Sequence, residues 1–247
     1  DVISSAYQQS QIDQGLFSPE TVTVGDLFLG ALIPGLLLVL AYTLYIVGKA
    51  IISPSSVPAI PKEERDAVDN LWGKVLSALV PPILLIGLVL GSILGGLATP
   101  TEAAAVGAVG AVVLAIFKRN FNMETLTSVM RSTTQVSSMV FIILVGASIF
   151  SLVFRGFGGD DMVRDFLTDL PGGVWGALAV VMLVMFLLGF FLDFIEITFV
   201  VVPIVAPILL TMGLDPIWLG IMIALNLQTS FLTPPFGFAL FYLRGVA

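Results

Sequence analysis

The run from Leu27 to Val47 is apolar from end to end and holds no charged side chain. That is the length a helix needs to cross the hydrocarbon core of a bilayer, about 20 residues at about 1.5 Å each. Further apolar runs follow at Val75–Leu97, Thr101–Phe117, Thr133–Phe154, Val174–Leu192 and Ile197–Thr211. A water-soluble domain would have to cover them with charge, yet only 11% of the 247 residues are charged and 57% are hydrophobic. Lipid removes that need. The fold class is therefore all-α, a polytopic helical membrane protein, because a helix satisfies its own backbone groups inside lipid.

The sequence contains no cysteine and no histidine. Disulfides, thiolate metal centres, histidine-ligated haem and the usual general base are excluded with them. There is no nucleotide-binding loop, zinc-protease helix or nucleophile elbow, and no Ser–Lys or paired-Asp arrangement within the apolar runs. The chain reads as a non-enzyme without a cofactor. Its net charge of −7 sits largely in loops and carries no nucleic-acid footprint.

Charge sets the expected topology. Residues 1–25 hold Asp1, Asp13 and Glu20 and no basic residue, whereas Lys49, Lys62, Arg65 and Lys74 fall in the next polar stretch. The positive-inside rule puts 1–25 outside as a periplasmic loop, 26–48 across the membrane and 49–74 in the cytoplasm as a proline-bearing linker. Residues 75–132 hold two spans that leave the cytoplasm and return. Residues 133–173 hold a span going out and an amphipathic segment suited to the outer interface. Residues 174–212 are two apolar arms around Asp193-Phe194-Ile195-Glu196, read equally well as a re-entrant hairpin or as two crossings. Residues 213–247 form a final segment interrupted at Asn226–Ser230 and again at Thr233–Gly237. Asp1 opens without an initiator methionine and Ala247 follows directly on Val246, so the chain reads as a segment of a longer protein.

The interruptions carry the chemistry. Pro234 and Pro235 donate no backbone hydrogen bond, which frees carbonyls near Ser230 and Phe231, and Gly237 allows a turn. Those carbonyls, with the hydroxyls of Thr229, Ser230 and Thr233 and the amide of Asn226, suit a hard monovalent cation or a polar substrate. A simple proline kink filled by neighbours is the competing reading. Carboxylates within apolar runs cost roughly 2.5–3.5 kcal/mol each, so Asp193 is either a ligand at the tip or a cap for the second arm. Glu196, Thr198 and Gln228 stand as secondary candidates, Glu196 also as a partner at an interface. At Gly95–Ala105, Thr99 or Thr101 caps a helix with Pro100 and Glu102 in its first turn. Ala105, Gly107, Ala108 and Gly110 permit close helix packing. Pro81-Pro82 lacks adjacent amides and reads as a kink.

Three separated motifs resemble one family. Leu94-Gly95-Gly96-Leu97-Ala98-Thr99-Pro100-Thr101-Glu102-Ala103-Ala104-Ala105-Val106 resembles a signature of the large membrane subunit of tripartite ATP-independent periplasmic (TRAP) transporters. Leu188–Asp193 with Pro203-Ile204-x-x-Pro207 resembles the second hairpin of that subunit. The stretch from Asn226 to Val246, with Thr233-Pro234-Pro235-Phe236-Gly237 at its centre, is similar to the mannitol/chloroaromatic branch.

The resemblance implies the C-terminal half of a large permease subunit in the bacterial cytoplasmic (inner) membrane. It implies an elevator-type, sodium-coupled importer of organic acids, with a periplasmic binding protein and a small membrane subunit as partners. By carry-over, a sodium ion lies near Asp193, Thr229 and Thr233, where the second re-entrant hairpin meets a discontinuous helix. Pro234, Pro235 and Gly237 shape that break. A stand-alone sodium/carboxylate symporter of related fold is the alternative.

Overall fold

The structure is a computed structural model that describes residues 2–58 and 70–233. Among these it contains helices and no strand, and five of the helices are long and apolar enough to cross a membrane. The chain divides into two compact units, Phe28–Ser128 and Asp1–Leu27 with Val129–Ala247.

Helix α1 is Val2–Asp13, and helix α2, Val24–Ile52, carries the opening apolar run. A reciprocal cap begins α2. The Thr23 N–H and hydroxyl donate to Asp26 Oδ2 at 2.9 and 2.7 Å, and the Asp26 N–H donates to Thr23 Oγ1 at 3.1 Å. None of the α2 side chains is buried, and Leu29 and Ile33 are 64% and 68% exposed. Such a surface calls for lipid.

In the unit Phe28–Ser128, helices α3 (Leu71–Leu94) and α4 (Pro100–Phe117) pack as a pair. Glycines of α4 make the close approach. A Cβ at Gly107 would lie 3.2 Å from Val89 Cγ2, and one at Gly110 would strike Leu85. Of the four small residues expected to allow packing, these two line up against α3. Helix α3 runs through Pro81 and Pro82 without ending there. Thr99, not Thr101, caps α4: its backbone N–H and hydroxyl both donate to Glu102 Oε2 at 2.8 Å, and Glu102 N–H donates back to Thr99 Oγ1 at 3.4 Å. Pro100 occupies the first turn, where its missing N–H costs nothing.

The other unit holds the buried core. Helix α5, Met123–Gly156, starts ten residues before the apolar run read from sequence, because Asn122 Oδ1 accepts from Thr125 N–H at 2.7 Å and opens a helix on polar residues. The amphipathic segment forms α6, Gly159–Thr168, with Leu167 buried and Phe166 exposed. Helices α7 (Gly173–Leu188), α8 (Phe194–Thr211) and α9 (Pro216–Leu232) then pack together. Ala177, Val181 and Met185 of α7 recur at helical spacing. They meet Val202, Ala206 and Leu209 of α8 and Leu219, Ile223 and Leu227 of α9. Trp175 and Trp218, near the starts of α7 and α9, pack edge to face at 5.9 Å.

The stretch read as an outer loop contains α1, whose Ile3 and Ala6 join this core and which lies against α8 and α9. It lacks a long apolar run because its buried face also holds Ser10 and Gln11. The Ser10 hydroxyl donates to Tyr7 O at 2.8 Å, and Gln11 Oε1 accepts from Glu20 N–H at 2.6 Å. Arg164 of α6 reaches Asp13 at 3.2 Å and pins the end of α1.

Replacing Thr99 by Ala is expected to destabilise the protein by about 1 kcal/mol, with Thr101→Ala near neutral. Unfolding midpoints of the two variants in the same detergent check this; equal shifts would refute the assignment of the cap.

Candidate functional site

Three chain segments converge where α7 ends, α8 begins and α9 runs out. Helix α7 stops at Leu188, and its C-terminal residue Gly189 donates its N–H to Met185 O at 3.0 Å. Phe190 and Phe191 close tight turns on Leu187 and Leu188. Asp193 then begins α8 in extended conformation, and its Oδ1 accepts from Phe194 N–H at 2.8 Å. The capping reading of Asp193 is therefore realised. Among the described residues this is its one side-chain hydrogen bond, and Oδ2 is left over for another donor or a cation.

Helix α8 contains one π-helical turn, Ile197–Val201, in which Val202 N–H donates to Ile197 O five residues back. Pro203 explains it. Its ring lacks the N–H that would bond Phe199 O and would clash with the preceding turn of a regular helix, and a widened turn relieves both. In the sequence Pro203 stood only as part of the hairpin motif, and nothing there pointed to a π turn.

On α9, the interruption expected over Asn226–Ser230 is not a break. The helix is regular to Leu232, and Asn226, Thr229 and Ser230 each bond to a carbonyl they can reach. Asn226 Nδ2 donates across to Met182 O of α7 at 2.9 Å. The hydroxyls of Thr229, Ser230 and Thr233 donate back to Asn226 O, Leu227 O and Thr229 O, each at 2.8 Å. The helix ends at Leu232, and Thr233 leaves it at φ −95°, ψ 130°, the extended conformation that a following proline imposes. The Ser230 carbonyl, expected to be freed, accepts from Thr233 N–H at 3.1 Å. Pro234, Pro235 and Gly237 lie outside the described residues.

Two contacts join the tip to the end of α9. Ser230 is fully buried against Gly189, where an added Cβ would strike its hydroxyl. Phe194, next to Asp193, packs edge to face on Phe231 at 5.9 Å. Thr198 and Gln228 line one groove of about 360 Å³, together with those two rings. Thr229 is exposed and Thr233 partly so; no hydrogen bond links either to Asp193. Glu196 is half-buried and makes no ion pair among the described residues. Sequence reasoning on composition alone missed Gly189 and the phenylalanine pair. A glycine four residues before the polar tip was the available signal.

Comparison with known proteins adds the family. Residues 17–247 match the family described as the tripartite ATP-independent periplasmic transporter, DctM component. The C4-dicarboxylate TRAP transporter large permease protein DctM of Pseudomonas aeruginosa is 32% identical over 232 residues, covering 91% of this chain and 51% of that protein. The sialic acid TRAP transporter large permease protein SiaM of Vibrio cholerae is 29% identical, over 91% of this chain and 50% of its own length. The ectoine TRAP transporter large permease protein TeaC of Halomonas elongata is also 29% identical, over 89% of this chain and 50% of its own. The chain thus spans about half the length of the curated relatives it matches. Those relatives are named as permeases, and the exposed apolar helices of this chain call for a membrane. The chain belongs to the DctM family of TRAP transporter large permeases.

Proposed function

We propose that the protein imports organic acids across the bacterial inner membrane by coupling them to sodium, and that these residues are the C-terminal half of its large permease subunit. A periplasmic binding protein delivers the acid, and a small membrane subunit completes the complex. The Thr233-Pro234-Pro235-Phe236-Gly237 sequence favours the mannitol/chloroaromatic branch. Relatives named for a C4-dicarboxylate and for sialic acid support an acidic substrate.

The observation that carries this reading is the meeting of the polar tip between α7 and α8 with the end of α9, through Gly189 with Ser230 and Phe194 with Phe231. Such places bring half-helix ends and hydroxyls together at membrane depth. The Thr229 and Thr233 hydroxyls have spent their protons on carbonyls, so what each still offers is lone pairs. Asp193 keeps Oδ2 free of the cap. An all-oxygen set of this kind suits sodium, with Asp193 supplying the charge. Helices α7 and α8 would then be the re-entrant hairpin, entered from outside, in an elevator-type transport cycle.

Uptake by the reconstituted full complex is expected to require a sodium gradient. Thr229→Ala and Thr233→Ala should each raise the half-saturating sodium concentration about tenfold, the equivalent of about 1.4 kcal/mol. Sodium-independent uptake would sink the coupling. Gly189→Ala should abolish uptake while leaving the protein in the membrane, since the new methyl displaces Ser230; full activity would show that this contact is dispensable. The chain has no cysteine, so Phe17→Cys should react with an impermeant maleimide added outside intact cells and Ser56→Cys only after permeabilisation. The opposite pattern would invert the topology.

A further inference from the structure

Two hollows beside α8 share Arg155 and Pro203 in their walls. One, of about 300 Å³, is also lined by Ser5 and Gln9 of α1. The other, of about 370 Å³, is also lined by Ser148 and Ser151 of α5. Each falls within the size of small-molecule sites. They flank the π turn on the opposite side from the Thr198 groove: Phe199 and Pro203 line the Arg155 side, and Thr198 and Val202 line the other.

The chemistry of this cleft has one sign. No carboxylate lines either hollow among the described residues. The Ser5 and Ser151 side chains make no hydrogen bond to any described residue, so both keep a donor to offer. Arg155 does have a partner, since its Nε lies 3.2 Å from Asp160 Oδ2. That pair is incomplete, however, because Asp160 Oδ1 is buried with no hydrogen-bond partner. A bidentate grip would have used both oxygens. Of the five donors on the guanidinium, this contact engages one edge.

We propose that the hollows on either side of Arg155 are a carboxylate-binding site for a small organic anion, with Arg155 as the shared charge partner and Ser5 in one hollow and Ser151 in the other as hydrogen-bond donors. Asp160 orients the guanidinium by its Nε edge and leaves the remaining donors to the ligand. Asp160 and Asp161, in the first turn of α6, also oppose a second negative charge. The site therefore holds its anion loosely, as a place of passage must. The ligand class rests on the organic-acid reading above; the site itself does not depend on sodium.

The test uses the full-length protein in its complex, in nanodiscs without any ion gradient. Ser151→Cys supplies a thiol in the cleft, with the unsubstituted protein as blank. Its reaction rate is measured with an anionic methanethiosulfonate and with a neutral one. Adding Arg155→Met is expected to lower the anionic-to-neutral ratio about fivefold, and Asp160→Asn to raise it. Excess succinate and pyruvate should slow the anionic reagent while the neutral succinamide does not. A ratio that Arg155→Met leaves unchanged, a fall on Asp160→Asn as well, or equal protection by succinamide would each overturn the site. Sodium-independent uptake would remove the coupling and leave this result intact.

Discussion

A helix that ends away from water leaves backbone donors and acceptors with nothing to bond, and five helix starts among the described residues meet that constraint with a particular side chain. Thr23 and Thr99 close reciprocal caps with Asp26 and Glu102. Asn122, Asp193 and Asp215 accept from the first-turn N–H groups of α5, α8 and α9. Pro100 and Pro216 stand where an absent N–H costs nothing. The polar residues that first look like chemistry in an apolar sequence are thus also what lets the helices stop.

That double use decides how far the molecule was legible in its sequence. Apolar run length located α2, α3 and α4 closely, because lipid fixes the length of a span and little else competes. The cap at Thr99 was legible as a choice between two threonines, and the bonds to Glu102 select one. Helix α1 was not legible: its buried face includes Ser10 and Gln11, whose partners Tyr7 O and Glu20 N–H appear only after folding. The polar stretch Asn226–Ser230 was misread as a break for a related reason. Hydroxyls three or four residues downstream of a carbonyl satisfy themselves within the helix, and Asn226 finds Met182 O on a neighbour 44 residues away.

The candidate site was legible in its parts from the residues, and in their meeting only through the family resemblance. Asp193, Thr229 and Thr233 stood out as polar atoms in apolar surroundings. The contacts that join their segments run through Gly189 and through Phe194 and Phe231, which a search for polar residues passes over. The hollows beside Arg155 are lined likewise by Pro203, which stood in the sequence only as part of the hairpin motif.

A helix takes up one surplus residue by widening a single turn, and Ile197–Val201 is such a turn. The residues on either side keep their phase, so Val205, Ala206 and Leu209 still point into the core. The arm can therefore lose one residue here without rotating its buried face, whereas the same loss after Pro203 would turn that face outward. Chain length along this arm is negotiable at this turn, which lies between the Arg155 hollows and the Thr198 groove.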